Sequence, residues 1–353
     1  MKFWGPGSGV YGRGRWRGSP AVSLALPRKS FRRLLVIHFG QLGDTVLSLP
    51  ALDLLRDHFP DDELTLGCGM PAHELIDLWG RADKIVPLDR VKVRDTNPIH
   101  AAWLICQFVS RIWHPTPDAV VVMHPNVEMY LVAYCTAAKR RAGVVVKPGF
   151  FSRLLNEPYE GLWKGLHASA SYLAFARQFC GIAPPVHEAP PVPRLELAQA
   201  PHRNGRIAIH VGGGRKAKRV APQSWLEVAR GLRARTGKEI AFISGPEEPE
   251  LAHELSRSME GALPLANLSI EALAREVAQS GFFVGTDSGP GHMAAALQTP
   301  SLTLIERHVA PRYSTLGAHA RQLAHAGIKT VGATDIVEAA LAHPAFPMPE
   351  GRA

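Results

Sequence analysis

Short apolar runs that end in glycine-rich turns, each followed by text of helical period, recur along this chain and leave few folds open to it. LLVI at 34–37 runs into HFGQLGD and then TVLSLPALDLLRDHFP, where Leu47, Leu54 and Leu55 begin a helical spacing. LTLGC (64–68), KIVPL (84–88), DAVVVMHPN (118–126) and VVV (144–146) repeat the strand text, with helical text at 72–80 and behind residue 126. Strands that are apolar throughout are buried on both faces, and the helices between them supply the cover. The pattern predicts parallel βαβ units.

The alternation breaks once. GIAPPVHEAPPVPRLELAQAPHRN carries Pro184, Pro185, Pro190, Pro191, Pro193 and Pro201, a density that forbids helix and reads as a connector. Strand text then restarts at RIAIHVGGG. It continues through a helix at about 223–236, IAFISG, a helix at about 248–259, a short strand near 263, a helix at 270–279, FFVGTD and SLTLI. At 353 residues the chain also exceeds the roughly 250–300 at which one core stops growing. The expected organisation is a basic extension (1–30), a first Rossmann-like domain (31–182), the proline-rich linker (183–204), a second Rossmann-like domain (205–332), and a C-terminal helix and tail (333–353). Two doubly wound α/β domains would place ligands at the carboxyl ends of their strands, across a cleft.

The formal net charge is +9, yet residues 1–33 carry eight Lys and Arg and no acid, so the remainder is close to neutral at +1. The extension is Gly- and Arg-rich without hydrophobic period, which argues for disorder; it could dock on anionic headgroups or RNA, or be a solvated extension or misassigned start, and nucleic acid is not the expected partner. AVSLAL is too short for a signal-peptide core, and no segment reaches about 18 uncharged apolar residues, so a cytoplasmic location is expected. Cys68, Cys106, Cys135 and Cys180 form no C-x-x-C pair. They are read as small buried apolar residues, with no disulfide framework. No histidine grouping suggests a metal, and none is expected.

Three strand-to-turn junctions carry the chemistry. Gly40, Gln41, Leu42, Gly43 and Asp44 follow the opening strand; Asp44 is either a helix cap or a carboxylate presented to a ligand. His210, Gly212, Gly213 and Gly214 lead into RKAKR, whose cations include Lys218 and Arg219 and suit a phosphate, or form a solvated loop. Neither turn fits a Walker loop or G-x-G-x-x-G. Thr286, Asp287, Ser288 and Gly289 would cap the helix MAAAL, whose free N–H groups make an anion site. His124, ending DAVVVMH, points by strand position into the same cleft, for a ligand contact or a structural hydrogen bond.

LLVIHFGQLGDTVLSLPALDLLRDHFP, HVGGGRKAKRVAPQSW, ISGPEEPEL and VGTDSGPGHMAAALQTP, in this order, resemble the ADP-heptose:lipopolysaccharide heptosyltransferases, glycosyltransferase family 9, over roughly residues 31–343. The resemblance implies a GT-B fold and a metal-independent inverting transfer of heptose from ADP-heptose to a lipopolysaccharide inner-core acceptor of lipid A–Kdo type or a related glycan. The implied partners are that nucleotide-sugar donor and an anionic glycolipid or other glycan, with peripheral association at the inner membrane face. Asp44 matches the general base, with Gly43, His38 and His124 on the acceptor side. Lys218 matches the phosphate-binding lysine and Arg219 an assisting cation, beside Gly212 and Gly213. Glu247, with Glu248 as rival, matches the acid on the nucleotide ribose. Asp287 matches the sugar contact, and Ser288, Gly289, Gly291 and His292 match the turn that cradles the diphosphate.

Two departures stand out. His38 occupies a position where the family usually carries Arg or Lys, and Glu306–Arg312 replaces the usual F-G-P-T-x-P loop. The run Lys139, Arg140, Arg141, with Lys147 and Arg153, could meet acceptor anions or face solvent. The alternatives are a catalytically altered nucleotide-sugar-binding protein of the same fold, or a transferase using another donor or a protein acceptor.

Overall fold

Two compact units divide the chain between Pro191 and Val192. The computed structural model describes residues 32–125, 127–161, 165–183, 189–199, 202–213 and 219–347. The extension expected over 1–30, the stretch 214–218 with Lys218, and the chain end from 348 lie outside the described residues.

In the first unit the strands are β1 (Arg33–His38), β2 (Glu63–Gly69), β3 (Lys84–Leu88), β4 (Ala119–Val122), β5 (Arg140–Val145) and β6 (Glu157–Glu160). They pair in parallel in the order β3-β2-β1-β4-β5-β6. The helices are α1 (Leu42–His58), α2 (Ala72–Trp79), α3 (Arg90–Asp95), α4 (Pro98–Trp113), α5 (Val127–Cys135) and α6 (Ala168–Phe179). Every residue of β4 and nearly every residue of β1 is buried, as strands covered on both faces require. Leu35, Ile37 and Phe39 pack with Val120 and Val122, with Phe108 and Ile112 of α4 and with Tyr130 of α5. On the other face α1 lies against α6. β4 stops at Val122, four residues short of the strand text, and β5 begins at Arg140, four residues before it.

The second unit repeats the plan. Its strands are β7 (Ile207–His210), β8 (Ile240–Ser244), β9 (Leu263–Ala266), β10 (Phe282–Thr286), β11 (Ser301–Glu306) and β12 (Ala320–His325), all parallel in the order β12-β11-β10-β7-β8-β9. Between and behind them run α7 (Pro222–Thr236), α8 (Pro249–Arg257), α9 (Ile270–Gln279), α10 (Gly289–Ala296), α11 (Ala310–Tyr313) and α12 (Ala333–Leu341). Trp225, Phe242 and Phe282 fill its core with Ile207, Val284 and Leu302, each fully buried side chain contributing about 1.5–3 kcal/mol. The helix expected at the C-terminus, α12, packs on α7 within this unit.

In each sheet the strand order reverses beside the first strand, between β1 and β4 and between β7 and β10. Doubly wound sheets bind ligands outside the carboxyl ends at such switch points. His38 and Asp44 stand at the first, His210 and Asp287 at the second.

One sequence expectation changes here, that all four cysteines are buried. Cys68 is buried, and burial pushes its thiol up to about 12, but Cys106 and Cys135 are exposed and Cys180 is half-buried. Cys106 and Cys135 lie on outer faces of α4 and α5, which the sheet does not cover. All four are free thiols.

Candidate functional site

At the first switch point, β1 ends in His38, Gly40 turns the chain, and α1 begins with Gln41 as its N-cap. Asp44 is therefore the third helical residue and not the cap. Its Oδ2 accepts the Gln41 backbone N–H at 3.1 Å, half of a capping box, and the carboxylate stays half-exposed. Gly40 allows this packing. A Cβ there would stand 2.5 Å from Asp44 Cβ and 2.7 Å from His38 Nε2, so any other residue pushes both side chains away.

His38 is fully buried, and neither ring nitrogen has a hydrogen-bond partner among the described residues. Its ring meets Tyr172 of α6 edge-on at 5.5 Å and His124 at 6.2 Å. Burial first, and His124 second, hold its pKa down to about 3, so the imidazole is neutral at ordinary pH. The structure thus brings His38, His124, Gly43 and Asp44 to one strand end. Arg90, unremarked in the sequence, ties the turn to α3 by donating to the Phe39 carbonyl at 2.9 Å.

The second switch point is built from β7, β8 and β10. His210 ends β7, buried, with its pKa lowered to about 4 by burial. Its Nδ1 lies 3.5 Å from Ser288 Oγ. Ser288 is the N-cap of α10 but makes no side-chain cap bond; its hydroxyl donates back to the Thr286 carbonyl at 2.9 Å. α10 starts at Gly289 rather than within MAAAL, because Pro290 is preset for a first helical turn. The N–H groups of Gly289 and Gly291 stand in that turn, without a capping side chain, at the positive end of the helix dipole. A Cβ at Gly291 would lie 2.8 Å from Thr303 Cγ2 and 3.3 Å from the Thr286 carbonyl, so glycine alone lets α10 sit this close to β10 and β11. Asp287 is nearly buried, and His292 Nε2 lies 3.4 Å from its Oδ1.

Gly212 and Gly213 follow β7, and Arg219 binds across them. It donates to the Gly213 carbonyl at 2.8 Å, to Glu248 Oε1 at 2.6 Å and to Glu247 Oε2 at 2.9 Å. Three of its five donors are committed inside the unit, so its first role is to fix the β7 turn to the β8 turn. Glu247 remains largely exposed. Elsewhere in the first unit, Arg140 is held by Glu157 in a bidentate pair, and Arg141 donates to the Leu154 and Ala138 carbonyls. Lys139, Lys147 and Arg153 are exposed. Beyond β11, Glu306 and His308 approach to 3.8 Å, and Val309 starts the short helix α11. Among the described residues no group of three or more His, Cys, Asp or Glu is placed to hold a metal ion.

The sequence model of glycosyltransferase family 9 (heptosyltransferase) matches residues 109–335. Lipopolysaccharide heptosyltransferase 1 of Escherichia coli K12 is 31% identical over 110 residues, 31% of this chain and 34% of that protein, so the match spans about a third of that relative. Among solved structures, E. coli heptosyltransferase WaaC with ADP-2-deoxy-2-fluoro heptose aligns at a TM-score of 0.72 and 20% identity, over 87% of this chain and 98% of that one. The family 9 glycosyltransferase of Veillonella parvula aligns at 0.74 and 18%, over 88% and 97%. E. coli ADP-heptose lps heptosyltransferase II aligns at 0.69 and 17%, over 87% and 96%. At these identities the likeness shows the fold, two Rossmann-like domains of the GT-B kind.

Proposed function

This chain belongs to glycosyltransferase family 9, the heptosyltransferases, and from that premise we propose that it transfers a heptose from ADP-heptose to a lipopolysaccharide inner-core acceptor of lipid A–Kdo type or a related glycan, with inversion. The single observation that carries the reading is the second switch point. A helix N-terminus without a capping side chain lies against the sheet through Gly291, beside a neutral His210 and the Gly212–Gly213 turn. Backbone N–H groups and a helix dipole suit a diphosphate. Structures of a relative hold ADP and an ADP-heptose analogue.

In the proposed reaction the acceptor hydroxyl oxygen bonds to the anomeric carbon as the bond from that carbon to the diphosphate oxygen breaks. The hydroxyl proton passes to the Asp44 carboxylate, and ADP leaves with the bonding pair. A positioned base commonly contributes about 10²–10⁴-fold, and stabilisation of the leaving diphosphate is usually the larger share. The α10 N-terminus and Lys218 take that second role, Glu247 contacts the ribose and Asp287 contacts the sugar. Arg219 supports this arrangement indirectly, by holding Glu247 and Glu248 against the Gly213 turn.

The test is calorimetric titration with ADP, UDP and GDP, followed by donor turnover with a lipid A–Kdo acceptor. Selective ADP binding with ADP release on acceptor addition is expected. Preference for UDP or GDP would overturn the donor, and ADP binding without transfer to any glycan would leave a nucleotide-sugar-binding protein.

A further inference from the structure

Two backbone features face each other at the second switch point, the first turn of α10 and the Gly212–Gly213 turn after β7, and one side chain stands between them. His210 ends β7 with its ring buried. Its Nδ1 lies 3.5 Å from Oγ of Ser288, the N-cap of α10. Its other edge faces the glycine turn, where a Cβ on Gly212 would stand 3.5 Å from Nε2 and 3.7 Å from Cε1. The imidazole therefore reaches from the helix cap to the glycine turn, along the floor of the cradle that the donor reading gives to the diphosphate. The hydrogen-bond network also fixes where its proton sits. A serine hydroxyl has a single hydrogen, and that of Ser288 is donated to the Thr286 carbonyl at 2.9 Å. Toward Nδ1 the Ser288 oxygen has only lone pairs to offer, so the neutral ring carries its proton on Nδ1 and donates it to Oγ. Nε2 is then bare, with its lone pair toward Gly212.

A bare Nε2 and a diphosphate do not suit each other, because the phosphate oxygens are acceptors as well. In the empty site burial opposes a charged ring and holds the His210 pKa down to about 4; an adjacent dianion favours the charged form and reverses that preference. The other titratable groups of these turns have partners of their own. Asp287 stands with His292 at 3.4 Å, and Arg219 holds Glu247 and Glu248, while Lys218 lies outside the described residues. Resting on the donor reading above, we propose that His210 is a catalytic residue of the transfer, which takes up a proton from solvent as the nucleotide-sugar diphosphate binds, presents Nε2–H to the phosphate oxygens, and returns the proton when ADP departs. The bond changes at the anomeric carbon stay as written above, and the proton on Nε2 is not transferred to the sugar or the acceptor. Negative charge on the diphosphate grows as its bond to the sugar breaks, so the imidazolium holds the departing group more firmly than the bound donor.

The experiment is calorimetric titration of the full chain with ADP-heptose, without acceptor, in steps from about pH 7.5 to about pH 5.5. The phosphates of a nucleotide sugar keep their charge over this range, whereas free ADP titrates on its terminal phosphate, so the donor is the probe. Wild-type affinity should rise as pH falls, approaching about tenfold per pH unit for one proton taken up, and the heats in two buffers of different ionisation enthalpy should register that uptake. His210→Gln offers an uncharged N–H near the place of Nε2, and His210→Asn offers one near Nδ1. Both should bind without this slope and without proton uptake. Ser288→Ala removes the partner of Nδ1 and lets the neutral ring carry its proton on Nε2, so it should flatten the slope as well. A merely structural loss would weaken binding equally at every pH. Single-turnover transfer at saturating donor should fall about 10²-fold in His210→Asn. A wild-type affinity that does not change with pH, or a slope that survives in both His210 variants, would overturn the inference and leave the donor reading standing. No binding of ADP-heptose at any pH would overturn both.

Discussion

Asp44 has two jobs that substitution can separate. Its Oδ2 accepts the Gln41 N–H at 3.1 Å in the first turn of α1, and the proposed reaction needs the same carboxylate as a base. Asn keeps a side-chain oxygen in nearly the same place and loses only the charge, so Asp44→Asn should cost no more than the interaction of that charge with the helix dipole, about 0.3–1 kcal/mol at an exposed first turn. Ala removes the acceptor as well, adding about 1 kcal/mol for a lost cap. Both should lower the single-turnover rate of ADP release by about 10²–10⁴-fold while donor affinity stays within about twofold, because the diphosphate is assigned to the other unit. The assay pairs rapid-quench turnover at saturating ADP-heptose and acceptor with urea unfolding of each variant. If Asp44→Asn turns over within about tenfold of wild type while Asp44→Ala is inactive and less stable, Asp44 acts only through its capping-box bond to Gln41 and the base lies elsewhere.

The buried histidines predict acid sensitivity. His210 titrates near 4 in the folded chain and near 6.5 unfolded, so its contribution is intact above 6.5 and declines as pH falls from there toward 4, by about 1.4 kcal/mol per pH unit; His210→Asn should flatten the urea midpoint between about pH 6.5 and 5, and an unchanged slope would contradict burial as the cause. Gly291→Ala should shift α10 off β11, costing about 1–3 kcal/mol by overpacking and weakening ADP binding in calorimetry; wild-type affinity would show that the close approach does not serve the nucleotide. Arg219→Ala leaves Glu248 without its cation beside the Gly213 turn, so thermal unfolding should fall by several degrees, about 1–2 kcal/mol for a partly buried pair, whereas Lys218→Ala should weaken donor binding with little effect on unfolding.

The strands of both units were readable because a parallel sheet covered on both faces needs continuous apolar runs, and glycine turns mark their ends. LLVIH, IAIH and FFVGT therefore announce β1, β7 and β10 by residue type alone. What escaped had weaker signals. ARQLAH of β12 is an edge strand with three half-exposed polar residues, Arg321, Gln322 and His325, and gives no apolar run. The start of α10 was hidden by Gly-Pro-Gly, which reads as a turn until proline is recognised as a first-turn residue. α4 carries large apolar residues on both its inner and its outer side, so its periodicity cannot tell inside from outside, and the exposure of Ile99, Trp103 and Cys106 is a fact of topology that no spacing contains. Arg219 was readable as a cation near a glycine turn. Its engagement with Glu247 and Glu248 required β7 and β8 to be adjacent.

The two units begin alike, so their differences are informative. Each has the same strand order, and each first strand ends in a buried histidine held neutral, His38 and His210. The turns that follow diverge in chemistry. After β1 the chain enters α1 at once through Gln41, and the half-exposed group in that first turn is a carboxylate, Asp44, which repels an anion and suits a proton. At the second switch point the corresponding role passes to α10, whose first turn holds no acid after Asp287. Its N–H groups and dipole attract an anion. The two first turns thus differ in charge, with a half-exposed carboxylate in α1 and none in α10, and the proposed displacement assigns the base to one and the cradle for the departing diphosphate to the other.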